Sequence, residues 1–379
     1  MRVLNSIADL RERARARLPR AIFDYADRGS YDEITIRRNR ADLDAIALRQ
    51  RVGVDVSTIA TSSTLVRQSC ALPLAVAPTG LTGLFYRDGE IYGARAAAAA
   101  GIPFCLSTVA IASIEDLQEA GASGFWFQLY LMRDRGFNEQ LIERAGTAKC
   151  PVLVLTLDLP VQGLRRRDAK NGLSVPPRLT WGNAWDVATK PAWGLGMLRA
   201  RRRTFGNLEG RLPGPQGLKT LSTWISEQFD PTASWQDVAW VRSRWPGKLI
   251  VKGIMDADDA RRAADLGVDA IVVSNHGGRQ LDGAPSTIRV LPQVVAALQG
   301  RCEVLFDGGI MSGQDILKAV AYGARGCLMG KAFLYALAAG GQAGVALGIE
   351  IMRRELSISM ALAGATDIQK VDRSVLWEQ

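Results

Sequence analysis

The chain has 379 residues, 47% of them hydrophobic, with 38 glycines, one histidine and a formal charge of +9. That length and apolar content support a large buried core with many tight turns and exclude a disordered chain. One histidine and five scattered cysteines (Cys70, Cys105, Cys150, Cys302, Cys327) with no C-x-x-C pair argue against a zinc or other metal site and read as reduced core thiols of a cytosolic compartment. The basic balance leaves nucleic acid, an anionic membrane surface and small anions as candidate partners.

Residues 1 to 70 read as a helical N-terminal extension ending in polar turns, and "MRVLNSIADLRERARARLPR" lacks the apolar region of a secretory signal. No run of about 18 consecutive apolar residues occurs, so no bilayer-spanning helix is expected. Eight short apolar runs follow: "LPLAVAP" (72–78), "PFCLST" (103–108), "GFWFQLY" (124–130), "PVLVLTLD" (151–158), "KLIVKG" (248–253), "DAIVVSN" (269–275), "CEVLFDGG" (302–309) and "GCLMGK" (326–331). All are continuous rather than alternating, the pattern of parallel strands buried on both faces. Between them lie amphipathic segments with helix-start residues, among them Ser113, Asp256 and Ser312, the last two with Asp259 and Asp315 three residues on. Eight strands alternating with helices predict an α/β chain folded as one (β/α)8 TIM barrel spanning 1–379.

One connection is abnormal. The stretch 159–231 inserts 73 residues after the fourth strand (231 − 159 + 1), where such loops are ordinarily about 2–6 residues long. It carries Trp181, Trp185, Trp193 and Trp224 and a basic cluster, Arg199, Arg201, Arg202 and Arg203.

Chemistry in such barrels gathers at the C-terminal ends of the strands. Here those ends are all polar although the strand bodies are apolar: Pro78-Thr79-Gly80, Ser107-Thr108, Gln128-Leu129-Tyr130, Thr156-Leu157-Asp158, Lys252, Ser274-Asn275-His276, Asp307-Gly308-Gly309 and Gly330-Lys331. The Gly-rich ends of the last two strands, one running through "DGGIMSGQD" into a helix, suit a phosphate held by backbone N–H groups; a tight turn is the plainer reading of the glycines alone. No Walker loop or dinucleotide fingerprint is present.

"SNHGGRQLDG" (274–283), with "FDYADRG" (23–29), "APTG" (77–80), "FQLY" (127–130), "TLD" (156–158), "VKG" (251–253) and "FDGGI" (306–310), resembles the FMN-dependent α-hydroxy-acid oxidoreductases over nearly the whole chain. "FLYALAAGGQAGV" most resembles the bacterial membrane-associated L-lactate and mandelate dehydrogenases of that family. The resemblance implies FMN as cofactor, His276 as the base that takes a proton from the substrate, and Asp158 as the carboxylate that orients it. It implies that Arg165, Arg279 and Tyr25 bind the substrate carboxylate, with Tyr130 near its hydroxyl. Lys252 would lie beside the flavin N1/O2 edge, Ser107, Gln128 and Thr156 would bond the ring, and Asp307 would take the ribityl hydroxyls. Pro78, Thr79, Gly80, Ser274, Gly308, Gly309, Gly330 and Lys331 complete the implied cofactor site. A plainer reading makes Asp158 a turn cap, Lys252 a surface cation and Tyr25 a core aromatic.

Three positions depart from the family pattern. Arg166 stands where Glu is common. Met311 and Lys331 stand where relatives carry arginines that reach the FMN phosphate, and at about 1.5–3 kcal/mol per charge-assisted bond this predicts weaker FMN binding. Gly80 matches dehydrogenases better than oxidases, and Val109 stands where glycolate oxidases tend to carry Trp. The expected reaction is oxidation of an L-2-hydroxy acid, lactate favoured over mandelate, with electrons passed to a quinone of the respiratory chain. The tryptophan- and arginine-rich stretch 177–215 suits peripheral contact with the cytoplasmic face of the inner membrane; a loop with a solvated basic face is the alternative. No nucleic-acid motif accompanies it. The resemblance implies a homotetramer. A soluble oxidase or monooxygenase using O2, and an inactive binding protein poor in cofactor, are the competing readings.

Overall fold

A computed structural model describes residues 3–171, 181–209 and 228–377. The eight apolar runs form one parallel sheet: β1 (Leu74–Val76), β2 (Cys105–Ser107), β3 (Trp126–Tyr130), β4 (Val152–Thr156), β5 (Lys248–Ile254), β6 (Ala270–Val273), β7 (Glu303–Phe306) and β8 (Gly326–Met329). The strands neighbour one another in chain order from β2 to β8, and β8 pairs with β1. A parallel bridge between Val76 and Phe104 joins β1 to the start of β2 and closes the barrel.

Two apolar clusters explain why the strands lack alternation. Ala75, Val152, Val154, Ile250, Ala270, Val272, Leu305 and Leu328 belong to the smaller one, while Leu74, Leu153, Leu155, Val251, Ile271 and Phe306 belong to the larger core that includes the helices. Both faces of each strand are therefore dry. The helices begin where their caps predict. Ser113 and Asp116 form a reciprocal capping box, Asp256 accepts from the N–H groups of Asp258 and Asp259, and Ser312 accepts from that of Asp315.

The N-terminal extension supplies α1 (Ile7–Arg17), α2 (Arg20–Asp27) and α3 (Ile34–Ala45). Its end is more than polar turns. Ser63–Leu65 pairs antiparallel with Gln68–Cys70, and Leu65, Val66 and Cys70 join the smaller apolar cluster. The hairpin thus packs against the barrel interior, and Gln68 accepts a 2.7 Å hydrogen bond from the Trp126 indole.

The insertion after β4 carries short helices at Arg166–Lys170, Trp181–Ala188 and Pro191–Leu198. Trp224, and residues 177–180 and 210–215 of the expected membrane stretch, lie outside the described residues. One expectation needs amending: the C-terminal helix Lys331–Leu362 is long and apolar enough by composition to cross a bilayer. Its apolar window is 72% buried, and the helix is broken at Gly340 and Gly341, so it reads as a core helix.

Candidate active site

The polar strand ends open onto a cavity of about 910 Å³ at the C-terminal mouth of the barrel. Tyr25, Tyr130, Arg165, His276 and Arg279 line it, as do Pro78, Thr79, Gly80, Lys252, Asp307, Gly309, Gly330 and Lys331. The other expected residues, Asp158, Ser107, Gln128, Thr156, Ser274 and Gly308, are not among those that line it, and Ser107, Gln128, Thr156 and Ser274 are buried.

His276 sits just beyond β6 with φ 57°, a left-handed conformation rare outside glycine, and Gly277 and Gly278 continue it at 63° and 74°. Strain of this kind gathers at functional sites. Gly278 is also required for space, because a Cβ there would lie 2.6 Å from the Ile36 backbone nitrogen. The curl turns the imidazole toward β4, where Nδ1 lies 2.8 Å from Asp158 Oδ1. A carboxylate there makes Nδ1 the donor and leaves Nε2 as the proton acceptor. Burial lowers the His276 pKa, and Asp158 opposes this only in part. Burial alone would raise the Asp158 carboxyl, but His276 and Lys252 outweigh it and hold the group below its ordinary value. The pair is a neutral base beside an ionised carboxylate.

Two guanidinium groups flank Tyr25. Arg279 lies 4.6 Å and Arg165 5.8 Å from its ring centroid, both within cation–π range. Arg279 also donates to the backbone carbonyls of Tyr25 and Arg28. Arg165 is buried, whereas Arg166 is half exposed and pairs with Asp32. Of these two, Arg165 lines the cavity. Asp168, which lines the cavity 4.0 Å from Arg165, carries a pKa raised by burial despite both arginines. Two neighbouring guanidinium groups at a cavity wall are chemically suited to a carboxylate.

Lys252 is buried and donates to Ser274 Oγ at 2.9 Å. Asp307 at 3.1 Å and Asp158 at 3.9 Å more than offset the burial that would lower its pKa, so it stays cationic. At the ends of β3 and β4, Gln128 Nε2 and Thr156 Oγ1 are buried and find no partner among the described residues. Unpartnered buried polar atoms are costly, and a ring with polar edges could satisfy these two. Beside the cation of Lys252 they fit FMN well.

The phosphate end fits less closely. Met311 lines the cavity, and its N–H is already taken by Asp315. Lys331 lies there half-buried, and its Nζ donates to the Asp27 carbonyl at 3.1 Å. Sequence reasoning missed Arg40, which lines the cavity, pairs with Asp315 and donates to the Gly309 carbonyl at 2.8 Å. Within "IRRNR" it looks like any solvated helix arginine, and only the fold brings it under the glycine loop. Asp168 and Leu81 were missed for the same reason.

The FMN-dependent dehydrogenase family model matches residues 14–378. An L-lactate dehydrogenase of Caulobacter vibrioides is 47% identical over 379 residues, all of this chain and 98% of that one. An L-lactate dehydrogenase of Pseudomonas entomophila is 44% identical over 375 residues, 99% of this chain and 98% of its own. Among solved structures, the monotopic membrane protein (S)-mandelate dehydrogenase superposes over all of both chains with TM-score 0.94 at 34% identity. Mandelate oxidase superposes with TM-score 0.84 at 37% identity, over 100% of this chain and 99% of that one.

Proposed function

The chain belongs to the FMN-dependent dehydrogenase family, and from its site we propose that it oxidises L-lactate, in preference to mandelate, to the 2-keto acid and delivers the electrons to a membrane quinone. The oxidation of a 2-hydroxy acid is supported by relatives over the full chain. The observation that carries the residue roles is the contact between His276 and Asp158 at the wall of a cavity shared with Arg165 and Arg279.

The substrate carboxylate seats between the two arginines over Tyr25, with Tyr130 toward the substrate hydroxyl. Burial keeps Tyr130 protonated far above neutral pH, so it acts there as a hydrogen-bond donor. Anchored this way, the substrate presents its carbon two and hydroxyl to His276 Nε2. The neutral imidazole takes the proton, and Asp158 stabilises the cation that forms, a contribution typically of about 10²–10⁴-fold in rate. FMN, when bound, supplies the two-electron acceptor. Lys252 holds a positive charge beside the flavin position and favours the electron-rich state. Gln128, Thr156, Ser107 and Asp307 would hold the cofactor's polar edges, and the backbone of Gly309 and Gly330 with the Lys331 side chain would hold its phosphate.

The quinone reading is supported by the insertion. Helix Pro191–Leu198 has no buried residue, and Leu195 and Leu198 face out beside Arg199, Arg201 and Arg203. Apolar side chains next to cations suit a peripheral seat on an anionic bilayer, on the cytoplasmic side. The working assembly in this reading is a homotetramer.

The test is anaerobic. The purified yellow protein bleaches on addition of L-lactate, and more slowly with L-mandelate. Bleaching by mandelate alone overturns the substrate assignment. Rapid peroxide release in air identifies an oxidase instead, and a colourless protein inert after added FMN identifies an inactive binding protein.

A further inference from the structure

Besides its charged groups, the cavity is lined by a set of apolar side chains: Leu81, Leu84, Phe85, Trp193 and Phe205, with the Phe85 ring 6.4 Å from that of Tyr25. We call this apolar lining the arm of the cavity. Its roof is Trp193, whose indole N–H donates to the Leu84 carbonyl at 2.8 Å, fixing the ring against the loop after β1. Trp193 belongs to helix Pro191–Leu198, whose Leu195 and Leu198 are 55% and 65% exposed on the outside. The apolar lining thus connects Gly80, through Leu81 and Leu84, to Trp193 on the helix that carries the exposed leucines. A second observation marks the same place. Leu81 is held at φ 57°, a conformation unfavourable for a bulky residue, by a 3.0 Å hydrogen bond from its N–H to the Val109 carbonyl. Such strain persists where the surroundings impose it and gathers at ligand clamps.

We propose that this apolar arm is the seat of the quinone head group, entered from beneath helix Pro191–Leu198, so that the acceptor and the hydroxy acid occupy separate parts of one cavity. The inference rests on the quinone reading above. Flat aromatic walls at Phe85, Trp193 and Phe205 suit a planar ring, and an apolar passage suits an isoprenoid tail, which a water-soluble acceptor lacks. The exchange balances. Two electrons and two protons leave the hydroxy acid in the first half-reaction, and two electrons and two protons turn the quinone into its quinol in the second.

The experiment separates the halves in the FMN-loaded, full-length protein. Trp193→Ala opens the roof, and Leu84→Phe fills the arm while keeping its packing. Bleaching by L-lactate is expected to stay within about twofold for both variants. After stoichiometric reduction with dithionite, reoxidation by ubiquinone-1 is expected to slow at least tenfold, while reoxidation by ferricyanide is unchanged. Calorimetric binding of ubiquinone-1 to the oxidised protein weakens in step. Unchanged quinone reoxidation in both variants overturns the arm's assignment. So does a parallel loss of bleaching, which makes the arm the pocket for the substrate's side chain. If ubiquinone-1 fails to reoxidise the unsubstituted protein, the acceptor reading itself fails and takes the arm's assignment with it.

Discussion

His276 Nδ1 and Asp158 Oδ1 lie 2.8 Å apart although 118 positions separate them in the chain. Asp158→Asn keeps the shape and removes the charge that fixes the tautomer, so kcat is expected to fall by about 10³–10⁴ with FMN content unchanged. Burial lowers the His276 pKa and Asp158 raises it. The base is active when neutral, so the acid limb of kcat/KM should lie below pH 6.5, the ordinary imidazole value. Removing Asp158's opposing contribution moves the limb further toward acid. Pre-steady-state bleaching between pH 4.5 and 8 reads both, and a limb above pH 6.5 would speak against a buried neutral base.

Arg165 and Arg279 offer the substrate a planar fork that lysine cannot reproduce. Arg279→Lys and Arg165→Lys should each raise KM roughly ten- to a hundredfold, the size of one charge-assisted bond. Arg166→Ala should leave KM within about twofold, because that side chain is half exposed and pairs with Asp32. Steady-state kinetics on the three variants also test the register of the arginine run. A large effect at Arg166 and none at Arg165 would reverse the assignment.

The two lysines of the site behave oppositely. Lys252 has carboxylates beside it and stays charged, whereas burial and the nearby Arg279 push Lys331 down to about 7. A phosphate docking beside Lys331 restores its proton, so binding takes up a proton once the pH exceeds that value. FMN affinity should therefore be highest near pH 6–7, where phosphate is becoming doubly charged, and fall towards tenfold per pH unit above 7. Lys331→Arg should abolish the decline, since guanidinium stays charged. Quenching of FMN fluorescence from pH 6 to 9 measures it, and a flat profile in the unsubstituted protein would place the phosphate away from Lys331.

Gly80 has no room for a side chain as the cavity stands. A Cβ there would lie 2.7 Å from Val109 Cγ2 and 3.3 Å from the Val109 carbonyl oxygen. Gly80→Ala should push Val109 into the cavity and cost on the order of 1–3 kcal/mol by overpacking. Thermal melting detects the loss, and KM for mandelate should rise more than KM for lactate. Val109→Ala added to Gly80→Ala should restore both. If the double variant is no better than the single, the contact is not the cause.

Much of this was legible from local pattern. The strands read out because burial on both faces leaves continuous apolar runs, and Ser113, Asp256 and Ser312 read out because a capping side chain acts within its own helix turn. Lys252 stood out as a charge at the end of an apolar run. Tyr25 did not: in "FDYADRG" it looks like a core aromatic, and only the family resemblance singled it out. The hairpin at Ser63–Cys70 was read as polar turns because its role is to meet the barrel interior, which belongs to other strands.

The sequence alone determined the barrel, the rim of polar strand ends, the signature around His276 and the departures at Met311 and Lys331, because each is written in neighbouring residues. Tertiary structure decided that Asp158 meets His276, that Arg165 rather than Arg166 turns inward, that Arg40 underpins the glycine loop, and that the Trp193 indole bonds the Leu84 carbonyl at the cavity wall. Those facts depend on distances between residues far apart in the chain. Periodicity and capping act over a few residues, whereas burial, desolvation and charge pairing are set by whatever the fold brings within a few ångströms.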